Sequence, residues 1–287
     1  MDLDSVEKTE HSSIGPVQKA LLILTTALQG QNYLGAWYIP MLFKLVPQKF
    51  HRKLAFNVLA ISPHYYRLHE KPEGMSRDQF IQSAHETSIN SRQLVARKYI
   101  QPHLNTDMLV LDYGCGPGYL ASEVSKHCQQ VTAIDISSGV IACAKAIHHK
   151  SNIQFRVIEA NDLSSIPDSS LDLVYSTAVM LHVRDDVCRQ ILSEFMRVLK
   201  PEGKAICEFL TTQGRSTDGL PTNHNGSEQS RSLLKNVKEK YSLLVVPRPL
   251  SLIEEIITGV GFEFLTRLNK DEPEDKNAYY AFGQQKL

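Results

Sequence analysis

The chain has no C-x-x-C pair, and its five cysteines, Cys115, Cys128, Cys143, Cys188 and Cys207, stand far apart. Structural zinc sites and disulfide frameworks need characteristic cysteine spacings. Neither is expected, nor is a bound metal, and a reduced intracellular setting fits. An excess of charge is missing too: 31 Lys and Arg balance 31 Asp and Glu. Nucleic-acid binding usually rests on a basic surface, so no nucleic-acid partner is expected. The first residues, MDLDSVEKTEHSS, lack the basic start and apolar core of a signal peptide. Apolar runs are short. ALLILTTALQG falls below the roughly 20 residues of a membrane span, and Pro40 and Lys44 interrupt YLGAWYIPMLFKLV. The expectation is a soluble, cytoplasmic protein with no transmembrane span.

What is present is a change of texture along 287 residues. Residues 1–75 read as a polar tail followed by an apolar helical extension. Tyr33, Trp37, Tyr38, Tyr65 and Tyr66 make it aromatic enough to form a lid over a substrate. Ser76, with Gln79 three residues on, predicts a capping box at the start of one or two helices reaching about residue 104. Short apolar runs then follow at 108–114, 130–136, 152–162, 171–177 and 203–212. Helical stretches at 117–127, 137–149 and 184–199 lie between them. Strands alternating with helices predict a parallel sheet with crossover helices. Residues 211–247 form a long polar insertion. A helix ending near Gly259 or Gly261 and two last strands in antiparallel pairing close the chain. The expected fold is α/β: a doubly wound, mostly parallel seven-stranded sheet with the last strand antiparallel. Two domains are expected, the extension and a binding domain over 76–287.

The sharpest local feature is VLDYGCGPGYL, with Gly114, Gly116 and Gly118 directly after the first apolar run. In doubly wound sheets, ligands lie beyond the carboxyl ends of the strands, at the switch point. The loop amides are then placed to donate to a ligand near the next helix. Asp135 follows Gly114 by 21 positions, a spacing suited to a ribose. Asp162, after the third run, rises on the same rim, within reach of an adenine amine. A dinucleotide-binding G-x-G-x-x-G would need glycine where Tyr119 stands.

The segments LDYGCGPG, AIDIS, EANDL, LDLVYSTAVMLHV and RVLKPEGKAICEF together resemble the class I, Rossmann-like S-adenosylmethionine-dependent methyltransferases. Their order and spacing match the family across 108–210, and the closing hairpin extends the likeness to about 76–285. Glu202 departs from the glycine many members carry there. The resemblance implies S-adenosylmethionine as cofactor. Gly114, Gly116 and Gly118 would line its methionine part, with Asp112 near the amino group. Asp135 would hold the ribose, and Ile136 would pack on the adenine. Asp162 would contact the adenine amine, with Asn161 and Leu163 beside it. Ser176, Thr177 and Ala178 would border the point of methyl transfer.

The same resemblance suggests His182 as a general base for a hydroxyl acceptor, since imidazole titrates near neutrality. Glu208, Tyr65 and Tyr66 are the candidate substrate contacts. The expected activity is methyl transfer to a small-molecule acceptor on oxygen, nitrogen or carbon. A membrane-surface enzyme acting on a lipid or quinone and a non-catalytic cofactor-binding partner subunit are the alternatives, and oligomerisation stays open.

Overall fold

A computed structural model of the chain describes Gly74 and residues 76–159, 161–213, 245–272 and 275–284. The N-terminal extension with Tyr65 and Tyr66, and most of the 211–247 insertion, lie outside the described residues.

Helix α1, Arg77–Val95, starts where the sequence places it. The Ser76 hydroxyl accepts from the Gln79 amide, and the Gln79 side chain accepts from the Ser76 amide, so both groups satisfy otherwise orphaned donors. The helix runs on through a π turn (Ala96–Ile100) and a 3-10 turn (Gln101–His103). Then the alternation begins: β1 Leu109–Tyr113, α2 Tyr119–Val124, β2 Gln130–Asp135, α3 Ser138–Ile147, β3 Ile153–Val157 and β4 Leu171–Ser176. It continues with α4 Asp185–Val198, β5 Leu199–Leu210, α5 Leu250–Val260, β6 Phe264–Arg267 and β7 Asn277–Gly283.

Seven strands form one sheet in the order β3-β2-β1-β4-β5-β7-β6. β1 to β5 pair in parallel, while β7 runs antiparallel between β5 and β6. This is the expected fold class. The third strand is shorter than the expected 152–162: β3 lies at the sheet edge, and its residues alternate buried and exposed before pairing ends at Val157.

Two apolar layers sandwich the sheet. One holds Phe195, Ile191, Ile256 and Phe262 from the α4 and α5 side. The other holds Ala96, Ile100, Leu120, Val124 and Ile141 from the α1, α2 and α3 side. Strands covered on both faces explain why most runs read as continuously apolar. The order reverses between β1 and β4: from β1 the chain winds outward through β2 to β3, then returns to β4 on β1's other side. A crevice at such a reversal, beyond the carboxyl ends of the strands, is where this architecture admits ligands.

Among the described residues no helix is long and apolar enough to cross a membrane. Nor does any group of three or more His, Cys, Asp and Glu there stand ready to hold a metal.

Candidate functional site

The glycine loop leaves β1 at this reversal. Gly114, Gly116 and Gly118 all have positive φ, at 76°, 54° and 80°, a region in which Cβ collides with the backbone of other residues. Two of them also touch protein closely. A Cβ on Gly114 would overlap the Val179 side chain, and one on Gly118 would lie 2.8 Å from the Phe155 ring. These glycines are therefore required by the fold itself.

The loop amides correct the expectation that they point outward to a ligand. Gly114 and Cys115 both donate to the Ile134 carbonyl, at 2.8 and 2.9 Å, and Gly118 donates to the Cys115 carbonyl at 3.1 Å. Gly116 donates to Asp135 Oδ2 at 3.1 Å. The other carboxylate oxygen of Asp135 accepts from the Ser137 amide at 2.9 Å. Ser137 itself caps α3 through its hydroxyl. Asp135 thus ties the end of β2 to the loop after β1.

A small open cavity adjoins this loop. Arg92, Asp112, Gly114, Cys115, Pro117 and Thr177 are among its walls. Asp112 and Tyr175 are register partners on β1 and β4, side by side on one sheet face. Both are buried, and Asp112 Oδ2 and the Tyr175 hydroxyl lack hydrogen-bond partners. The hydroxyl is near enough to lower the Asp112 pKa, though no bond of normal geometry joins them. Buried polar atoms in native folds are nearly all satisfied, so the Asp112 orphan on the cavity wall marks a place for a polar ligand. Arg92, half-buried on α1, adds a cation to the same wall. No local signal in the sequence singles it out.

Burial pushes the Asp112 carboxyl up to about 7; the Tyr175 hydroxyl and the Arg92 charge oppose the rise, and the Asp135 charge adds to it. Burial likewise raises Asp135 to about 6, against the amides of Ser137, Gly116 and Ile136. A carboxyl whose folded pKa exceeds its unfolded value takes up a proton on folding. Its stabilising contribution is present at low pH and is lost as pH rises through the folded pKa. Ligand-free protein is therefore expected to lose stability between about pH 4 and pH 7. Asp112→Asn, which keeps the shape without the charge, should melt progressively higher than wild type over that window. Parallel Tm–pH curves for the two proteins would show that Asp112 does not titrate there.

On the β4 side, the Ser176 hydroxyl donates to the Tyr113 carbonyl at 2.9 Å and is fully buried. Thr177 reaches the cavity. Ala178 adopts φ 57°, and its amide donates to Glu208 Oε2 at 2.8 Å. His182 is half-buried on a 3-10 turn, Met180–His182, whose last amide donates to the Val179 carbonyl. Farther along the rim, Asn161 accepts from the Tyr113 hydroxyl at 3.4 Å. Asp162 is exposed, and its bonds to Ser164 hold its carboxyl below the usual range. Leu163 is buried in the core, and Ile136 packs against that core. Asp112, Gly114 and Thr177 thus share one cavity, and Asp135 braces its loop. Asn161, Asp162, Leu163, Ile136, Ser176, Ala178, Glu208 and His182 are not among the residues lining it.

Residues 111–207 match the family model described as "Methyltransferase domain". They contain the end of β1, the glycine loop, Asp135 and the turn after β4. Over these residues the chain is similar to methyltransferase domains. The chain is 31% identical over 144 residues to the ubiquinone biosynthesis O-methyltransferase of Xanthomonas oryzae pv. oryzae strain PXO99A; the match covers 50% of this chain and 58% of that relative. The chain thus spans little more than half the length of the curated relatives it matches.

Two solved structures share this fold. One is the PH0226 protein from Pyrococcus horikoshii OT3, with TM-score 0.51, 21% identity, and coverage of 70% of this chain and 92% of that one. The other is human N-acetylserotonin methyltransferase in complex with SAM, with TM-score 0.50, 20% identity, and coverage of 72% and 55%. At these identities the likeness is one of fold.

Proposed function

We propose that the chain binds S-adenosylmethionine in the cavity beside the Gly114–Gly118 loop and methylates a small-molecule acceptor. The observation that carries this reading is the unsatisfied buried atom Asp112 Oδ2, on the wall of a cavity that also presents the Arg92 cation. An amino-acid group, with its ammonium toward Asp112 and its carboxylate toward Arg92, fits that polarity. Burial of such charges is tolerable only when they are paired.

Asp135 is placed one strand over, where a ribose would meet its carboxylate. Asn161 and Asp162 form the next rim position, suited to the adenine. When bound, the cofactor supplies a methyl group on a positively charged sulfur. The chain's task is then alignment and exclusion of water, and alignment alone is worth on the order of 7–11 kcal/mol at best. Thr177 and Ala178 border the transfer point. His182, just beyond them, is assigned as general base for a hydroxyl acceptor. The name of the Xanthomonas relative, an O-methyltransferase, supports a hydroxyl.

Calorimetric titration of the full chain with S-adenosylmethionine and S-adenosylhomocysteine tests the reading. Absence of binding to folded protein sinks it. Asp135→Ala is expected to weaken binding by roughly 1–3 kcal/mol, through loss of a buried charged acceptor; unchanged affinity would remove Asp135 from the site. His182→Ala should lower turnover and leave cofactor affinity alone.

A further inference from the structure

Glu208 sits on β5 with its register partner Tyr279 on β7. Its side chain is buried, an unusual place for a carboxylate without a task. One task is visible: Oε2 accepts from the Ala178 amide at 2.8 Å. Ala178 is one of two non-glycine residues with positive φ among the described residues, a conformation alanine adopts only when its surroundings impose it. The residue before it, Thr177, lines the cavity. The residue after it, Val179, packs against the Cα of Gly114 so closely that no Cβ fits between them. The Val179 carbonyl then accepts the His182 amide that closes the 3-10 turn.

A chain of contacts therefore runs from Glu208 through the Ala178 turn to the glycine loop on one side and to His182 on the other. The surroundings keep the carboxylate engaged. Burial raises its pKa, while the charge of Arg92, the Tyr279 hydroxyl and the Ala178 amide pull it down, and the Asp275 charge pushes it up slightly. Arg92 also acts on Asp112, so one guanidinium influences both buried carboxylates.

We infer that Glu208 is a positioning residue: by holding the Ala178 amide it keeps the turn after β4 in its left-handed shape, and through Val179 it sets the glycine loop that walls the cavity. The inference about cofactor affinity rests on the reading of that cavity given above. The effect on the turn does not.

Two measurements on the full chain separate them. Hydrogen exchange without ligand reports the amides of 114–118 and 177–183, and calorimetry with S-adenosylhomocysteine reports the cavity. Glu208→Gln keeps an acceptor oxygen and should match wild type in both. Glu208→Leu removes it. Exchange in both segments should then speed up by about tenfold, and affinity should fall by a similar factor. Adding Ala178→Gly to Glu208→Leu, which removes the cost of the left-handed residue, should restore most of both.

If Glu208→Leu does not fold, Glu208→Ala takes its place in the same comparison. Exchange unchanged in the leucine or alanine variant overturns the inference. So does a Glu208→Gln protein that exchanges and binds like wild type but has lost turnover, since the carboxylate would then serve the acceptor. If wild type fails to bind S-adenosylhomocysteine while the exchange differences appear, the cofactor reading fails and the positioning role stands.

Discussion

Gly114→Ala is expected to destabilise the protein by about 3 kcal/mol, from the cost of a left-handed alanine and of overpacking. Both causes are local and separable. Gly114 has φ 76°, and its missing Cβ lies where the Val179 side chain stands. Trimming the neighbour in Gly114→Ala/Val179→Ala should recover the packing share and leave the backbone share, roughly 1–2 kcal/mol. Thermal melts of the four proteins in the cycle give the answer. If Gly114→Ala costs the same with and without the valine side chain, the contact with Val179 is not what excludes a side chain there. The result bears on function, because the same valine links the loop to the turn after β4.

Arg248→Met should cost more, about 3–5 kcal/mol, as expected when a buried charge network loses its centre. Arg248 is fully buried, just past the 211–247 insertion's polar stretch. Its Nε donates to Asp185 Oδ1 at 2.8 Å, Nη1 to the Met180 carbonyl at 2.8 Å, and Nη2 to the Val183 carbonyl at 2.6 Å. Its own amide donates to the Leu210 carbonyl, and its carbonyl accepts from the Thr212 amide. One side chain thus anchors the returning strand to the turn that carries His182. Methionine fills the volume but leaves two buried carbonyls dry. Asp185→Asn is the control: Asp185 is 45% exposed, and exposed pairs are worth about 1 kcal/mol or less. Urea midpoints should fall far for Arg248→Met and little for Asp185→Asn. Equal losses would place the weight on the ion pair instead of the carbonyls.

Most strands could be read because they are short apolar runs bounded by turn residues and covered on both sides. The expected last hairpin appears as β6 and β7. β3 read too long because the residues after it stay mixed in character while the partner strand β2 ends at Asp135; pairing, not composition, stops the strand. The glycine loop was legible as a loop, and its reason was only half legible. Clearance for a cofactor was expected, whereas the partners that forbid a side chain are Val179 and Phe155, which no local pattern links to positions 114 and 118. The same distance in sequence hid Arg92, on a helix 20 positions before Asp112, and hid the Glu208 bond to Ala178. Arg248 was hidden differently: an arginine flanked by two prolines near a polar stretch reads as surface. Only the carbonyls it reaches, 65 and 68 positions upstream, make it interior.

The placing of β7 between β5 and β6 has a consequence for how the molecule comes into being. The ribosome delivers β6 before β7, yet among the described residues β6 has only β7 as a sheet neighbour. It cannot dock on the sheet until the final strand has been made. β5 likewise keeps an open edge until then, and Tyr279 is absent from beside Glu208. Nascent chains fold in units as their parts emerge. Here the parallel half, with its glycine loop, can form early, whereas Glu208 gains its neighbour across the sheet only once β7 has emerged. The residues that line the cavity, Arg92 to Thr177, are thus made well before the sheet around Glu208 is complete.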